Sequence, residues 1–277
     1  MSIPLFDSLT HPTPSGNWFP DSWYRKHGYH KTITEPCAEF RKLGTEMDQA
    51  NIVHSLAVGM GSECGGYQEA TYAELVRQHL PNSFPIAYCD LMQWDTTVDA
   101  LNSRIVRLRS MGYRGLKLHP RLGGFDFTSP RLLEVMRIAS AHDFPVLLCT
   151  YPYGRGCRIR NMSLESLIDL LVEVDEPKIV LLHGGVTDIL KWAEALRGYE
   201  KVVLDISLTL VRFQNSSLDI DIKYLFNTFD RRMCCGSDHP QYSPATFRDA
   251  FDRISEGVSE EKARNVGYRN LTKIFCD

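Results

Sequence analysis

No stretch of this chain approaches the ~20 consecutive apolar residues of a membrane span. Its start, MSIPLFDSLTHP, has neither the basic segment nor the apolar core of a secretory leader, so a cytoplasmic protein without membrane contact is the expectation. Charge of one sign is equally scarce. Lys and Arg number 31 against 34 Asp and Glu, a formal net charge of -3, which removes the electrostatic reason to expect nucleic acid or an anionic membrane as a partner. No Pro/Gly/Ser-rich linker or charge run divides the chain, and with 43% hydrophobic residues it reads as one domain over 1–277 with a single large core. The eight Cys contain no Cys-x-x-Cys metal pattern; Cys89, Cys149, Cys234 and Cys235 fall inside predicted strands, where buried free thiols are expected. No Gly-x-Gly-x-x-Gly turn follows the first strand, which counts against the runner-up architecture, an open doubly wound sheet.

What is present is a repeat of short apolar runs at roughly 30-residue intervals. The runs are Pro4–His11, Ile52–Gly61, Phe84–Leu91, Tyr113–Pro120, Phe144–Tyr151, Lys178–Gly185, Lys201–Leu208 and Arg231–Pro240. Near-continuous Val, Ile and Leu suits parallel strands buried on both faces. Between them, Tyr67–Leu80, Thr96–Met111, Pro130–His142, Ser163–Val174, Thr187–Leu196 and Leu218–Phe229 carry apolar residues at helical spacing. Ser129 before Pro130, and Ser163 itself, are N-cap signals. Eight strand-helix units in 277 residues predict an α/β fold, a single-domain (β/α)8 TIM barrel.

Barrel geometry then converts sequence positions into a site, because catalytic groups of this fold project from the C-terminal strand ends. His11, Asp90, His119, Cys149, His183, Asp205 and Asp238 all stand near such ends. Strand alternation predicts that Lys117 and His119 share the inward direction while Leu118 packs outward under a helix. Each residue also has a plain structural reading: Asp238 as a turn cap, His183 as a hydrogen-bonded core histidine, Asp205 and Ser207 as supporting groups.

Taken in order, Asp7–His11, GLKLHP at 115–120, PVLLCT at 145–150, IVLLHGG at 179–185, GSDHP at 236–240 and NLTKIF at 270–275 resemble the amidohydrolase superfamily. The resemblance is to the amidohydrolase-related group that includes carboxymuconate-semialdehyde decarboxylase-like proteins, and it covers nearly the whole chain. It implies one divalent metal, often zinc, held by a His-x-His pair on the first strand, a His on the fifth and an Asp on the eighth, with a His on the sixth that helps handle the reacting water. His11, His183 and Asp238 match that pattern; Leu9 replaces the first His, and Cys149 replaces the fifth-strand His. His11, Cys149, His183 and Asp238 are therefore the implied metal set, a thiolate being a good zinc ligand at ~2.3 Å. A metal-free barrel is the alternative these departures leave open, and carboxylation of Lys117 to bridge two metals is disfavoured by the loss at Leu9.

With or without metal, Asp238 is the expected base that accepts a proton from water; with metal His183 positions the water or stabilises the oxyanion, and without it His183, Lys117 and His119 supply the electrophilic stabilisation. Lys117, His119 and Arg121 are the expected substrate contacts, joined by Arg155 and Arg158 in the loop after the fifth strand and by Trp18. Guanidinium groups in these loops suit a small anionic substrate, ordinary surface charge being the plain alternative. The connection 12–36 is long and aromatic and reads as a lid or a subunit contact. The expected activity is hydrolysis of an amide, lactone or ester; the alternatives are non-oxidative decarboxylation and a non-catalytic binding barrel. A homodimer is compatible with the resemblance, but no segment supplies its pattern.

Overall fold

The computed structural model describes residues 3–12, 22, 36–60, 68–153, 161–175 and 177–276. Eight strands run β1 (Leu5–Thr10), β2 (Ile52–Val58), β3 (Ser83–Tyr88), β4 (Gly115–Leu118), β5 (Val146–Cys149), β6 (Ile179–Leu182), β7 (Val202–Asp205) and β8 (Met233–Cys234). They lie in sequential order with every ladder parallel. The main helices are α1 (Pro36–Gln49), α2 (Glu69–His79), α3 (Val98–Ser110), α4 (Pro130–Ala141), α5 (Leu164–Val172), α6 (Ile189–Ala195), α7 (Ser217–Thr228) and α8 (Pro244–Ser255). This is the expected single-domain (β/α)8 barrel.

Two apolar layers follow from strand alternation. Leu116 and Leu118, Val146 and Leu148, Ile179 and Leu181, and Val202 and Leu204 point outward and belong to the large cluster shared with the helices. Phe6, Leu9, Leu56, Val58, Ile86, Leu147, Val180, Leu182, Val203 and Cys234 form the inner cluster. Leu271 and Phe275 of the last helix (Asn270–Phe275) join the inner cluster, and Phe275 packs 6.3 Å from Phe6, so this helix plugs the N-terminal end of the barrel. Each fully buried leucine contributes roughly 1.5–3 kcal/mol relative to exposure.

The predicted runs exceed the observed strands. The runs extend into the polar residues where the chain leaves the ladder for the mouth, and β8 keeps only two residues of its run, Met233 and Cys234. Cys89 and Cys235 consequently lie just beyond β3 and β8, although both are buried and free as expected. Helix α6 begins at Ile189 rather than Thr187, because His183–Asp188 forms a tight turn first. Helices α1 and α8 were not anticipated, even though Ser243 and Pro244 carry the N-cap signal that the Ser243 side chain fulfils by accepting from Thr246 N.

The seam between β8 and β1 is closed by a side chain as well as by backbone. Ser8 N donates to Cys235 O at 3.1 Å and His11 N to His239 O at 2.8 Å, and Thr10 forms a parallel bridge with His239. Between these, Asp7 Oδ1 accepts from Ser237 N at 2.9 Å and from Leu9 N at 3.1 Å. The pairing of β1 with β2 slips between Asp7 and Thr10 at the same place, a bulge that turns Leu9 into the inner cluster. Gly236 permits the contact: a Cβ there would lie 2.6 Å from Asp7 Oδ1 and 2.9 Å from Leu9 N.

Burial raises the Asp7 carboxyl from 3.8 to about 7, more than the hydrogen bonds from Ser237 and Leu9 lower it. Between those two values the folded chain holds a proton that the unfolded chain has released, so the residue's contribution to stability falls as pH rises through this window. Asparagine reproduces the neutral acid and keeps the Oδ1 acceptor. Asp7→Asn is therefore expected to be more stable than wild type at pH 8, by about 4 kcal/mol at most in urea unfolding, with the difference shrinking as pH falls towards 4. A difference independent of pH would show that Asp7 is ionised in the folded protein throughout.

Candidate active site

The C-terminal ends of β1, β4, β5, β6 and β8 bring His11, Lys117, His119, Cys149, His183 and Asp238 to one mouth, where their charges interact. Arg121, in the short helix Pro120–Gly123 that follows β4, faces the same space. Thus Lys117, His119 and Arg121 stand together with His11, Cys149, His183 and Asp238, as their positions at strand ends implied. Trp18, Arg155 and Arg158, and all of the connection 12–36 except Pro12, Ser22 and Pro36, lie outside the described residues.

The turn that carries His183 is held by hydrogen bonds at His183 N, Nδ1 and O and at Gly185 N. His183 N donates to Asp205 Oδ2 at 3.2 Å, Nδ1 to Ser207 O at 3.1 Å, and His183 O accepts from Thr209 Oγ1 at 3.0 Å. Thr150 Oγ1 accepts from Gly185 N at 3.0 Å and donates to Leu182 O at 2.7 Å. These bonds sustain four successive positive φ values at His183, Gly184, Gly185 and Val186, and the last is costly for a β-branched residue. At Gly185 a side chain would meet the Trp192 indole. Asp205 is the hub: it also accepts from Ser8 Oγ, Ser207 Oγ and, at 3.7 Å, Cys234 Sγ, so four elements share one buried carboxylate. Asp205 and Ser207 are supporting groups here.

Hydrogen-bond partners assign the imidazole tautomers. A carbonyl only accepts, so Nδ1 of His183 and Nδ1 of His11, 3.2 Å from Val58 O, carry protons and their Nε2 atoms carry lone pairs. His119 is the reverse: its Nδ1 accepts from Leu122 N at 3.3 Å, leaving Nε2–H as a donor. All three are neutral. Burial, seconded by Lys117, holds His11 and His119 well below their usual range and brings His183 to about 3.

Lys117 is 1% exposed, and among the described residues none accepts a hydrogen bond from its side chain. Burial lowers its pKa, while Cys149, Asp238 and Asp205 work in the opposite direction. Burial also raises the Cys149 thiol, against the pull of Lys117. Asp238 is half-buried at the rim with φ 53°, and burial raises its carboxyl to about 7 despite Lys117.

Tyr151 and Tyr242 complete the rim and were missed by sequence reasoning. The Arg121 guanidinium lies 5.6 Å from the Tyr151 ring centre, and Tyr151 meets the His183 ring edge-on at 5.9 Å. The Tyr242 hydroxyl, raised by burial, feels Arg212, Asp238 and Tyr151. Tyr151 follows Cys149 by two residues, so alternation from the strand end was an available signal; Tyr242 and Arg212 had none.

The donors among the described residues do not fit a divalent ion. Leu9 is 0% exposed inside the barrel and offers no donor, His119 turns Nδ1 onto its own helix, and Lys117 places a positive group among the implied ligands. A dication within about 5 Å of an ammonium is repelled by several kcal/mol at an effective dielectric near 20. Among the described residues, no three His, Cys, Asp or Glu side chains come together in a way that could hold a metal ion. His11, Cys149, His183 and Asp238 thus share the mouth without forming the ligand set that the resemblance implied, although the wider superfamily usually binds a divalent metal.

Residues 6–275 match the family model described as Amidohydrolase. Similar solved structures include an uncharacterised TIM-barrel protein from Bordetella bronchiseptica, 16% identical, covering 99% of this chain and 98% of that one at a TM-score of 0.76. A 2,6-dihydroxybenzoate decarboxylase complexed with 2,6-dihydroxybenzoate is 13% identical, with 100% of both chains covered and a TM-score of 0.66. A phosphotriesterase from Mycobacterium tuberculosis is 13% identical, covering 99% of this chain and 94% of that one at a TM-score of 0.66. At these identities the structures share the fold. No match was found among curated proteins. No helix of the described residues is long and apolar enough to cross a membrane.

The Asp205 hub yields a direct test. Asp205→Asn turns one acceptor oxygen into a donor facing other donors, with an expected loss of about 1–3 kcal/mol in urea unfolding. Unchanged stability would show that the hub tolerates a lost acceptor.

Proposed function

The chain belongs to the Amidohydrolase family, and from that membership we propose that its barrel mouth hydrolyses an amide, lactone or ester bond of a small anionic substrate. The observation that carries this reading is the meeting of the Asp238 carboxylate with two cations, Lys117 and Arg121, and with two neutral imidazole acceptors, His11 and His183, at the ends of separate strands. A base, an anion-attracting wall and groups that orient water are what acyl hydrolysis requires.

The chemistry uses water as the second reactant. Nε2 of His183 accepts one hydrogen of the water and fixes its orientation, while Asp238 takes the other proton as the oxygen bonds to the substrate carbonyl carbon. The electron pair of the C=O bond moves to its oxygen, where Nε2–H of His119 donates to the growing negative charge. As the tetrahedral species collapses, the C–N or C–O bond breaks and Asp238 returns its proton to the leaving group. Arg121, stacked on Tyr151, holds an anionic substituent at the rim.

Non-oxidative decarboxylation, the activity in the name of one structural neighbour, is the competing outcome. Incubation of small acidic lactones, esters and N-acyl amino acids in 18O-labelled water separates the two by mass spectrometry. Hydrolysis places one labelled oxygen in the product; release of CO2 with no label in the remaining product overturns it. Asp238→Asn is expected to lower kcat by about 10²–10⁴-fold with KM within a few-fold of wild type. Unimpaired turnover by that variant would remove Asp238 from the base role.

A further inference from the structure

We propose that the Lys117 side chain is the resident cation of this centre, filling the role of a divalent ion by binding a carboxylate or carbonyl oxygen of the ligand directly. The inference does not depend on which bond is broken, since hydrolysis and decarboxylation both need a positive group at that oxygen.

Three independent features point to it. Lys117 is among the largest fully buried side chains of the protein, and among the described residues nothing accepts a hydrogen bond from it, although buried ammonium groups are almost always paired. Its neighbours on the inward side lie at the mouth: Cys149 is two positions beyond Leu147, the β5 partner of Lys117, and His119 lies two residues on along its own chain, and both feel the Lys117 charge. Finally, Leu9 occupies the inward position of β1 at the bulge, so one strand that would supply a metal ligand supplies hydrocarbon instead. A site that has lost a donor on one strand and presents on another an ammonium that no described residue hydrogen-bonds, with Asp238 as its counter-charge at the rim, suits an anionic oxygen better than a second cation.

Lys117 sits on a strand rather than on a loop. Its backbone is fixed by pairing with Leu147 of β5 and Tyr88 of β3, and Gly115 below it lets β4 approach Pro145 O closely. The amine is therefore presented from a rigid wall, as a metal would be from its ligands.

Malonate and zinc serve as the probes. Protein purified without chelator or added metal is expected to contain well under one metal per chain by elemental analysis, and zinc titration by calorimetry is expected to show no stoichiometric site. Malonate is expected to bind the wild type, with binding weakened about 10–100-fold in Lys117→Met and largely kept in Lys117→Arg. Circular dichroism checks that each variant folds; should Lys117→Met fail, Lys117→Gln takes its place, and the metal measurement on wild type stands without either. About one zinc or manganese per chain, lost in Cys149→Ala, overturns the proposal. So does malonate that fails to bind the wild type, or that binds Lys117→Met as tightly.

Discussion

The barrel depends on closing its sheet, and the closure rests on the buried carboxylate of Asp7. Eight parallel strands pair in order, but β8 keeps two residues, too few to seal the cylinder by a regular ladder. Asp7 supplies the missing acceptor to Ser237 N, and Gly236 makes room for it. The bulge created there redirects β1, which sends Leu9 into the interior and aims His11 at the mouth. A second carboxylate, Asp205, ties β1, the β6 turn and β8 to β7 one layer higher. Two acids buried in a hydrocarbon barrel are costly in isolation; Asp205 satisfies several backbone and hydroxyl donors, whereas Asp7 serves two backbone N–H groups through Oδ1 alone and its Oδ2 has no hydrogen-bond partner among the described residues.

The same low-polarity interior sets the character of the site. Burial keeps His11, His119 and His183 neutral, and their fixed partners sort them into two acceptors and one donor. Lys117 and Arg121 then dominate the local field, with Asp238 as the counter-charge at the rim. This is a polar environment organised before any ligand arrives, which is where electrostatic catalysis draws its advantage. The strained turn from His183 to Val186 belongs to that organisation, since five hydrogen bonds hold it in place.

Much of the fold was legible because parallel strands buried on both faces write themselves as unbroken Val, Ile and Leu runs, as at 146–149 and 179–182. Their ends were less legible, since the runs read from sequence extend past Cys149 and Leu182 into mouth residues such as Thr150 and His183 that leave the ladder. Lys117 and His119 were readable as an inward pair from alternation alone. Tyr242 and Arg212 were not, because the meeting of Tyr242 with Arg212 and Asp238 depends on how the segments after β7 and β8 fold over the mouth.

The sequence by itself determined the eightfold repeat, the inward direction of Lys117 and His119 on β4, and which chemically competent residues would gather at one end of the barrel. It also disclosed the two departures, Leu9 and Cys149. Tertiary structure alone decided what those departures mean. Residues more than a hundred positions apart set one another's charge states through burial and field, and donor convergence is a matter of three-dimensional direction that spacing along a chain does not encode. The burial of the Lys117 ammonium, the opposed tautomers of His119 and His183, and the carboxyl clasp of Asp7 all belong to that second category.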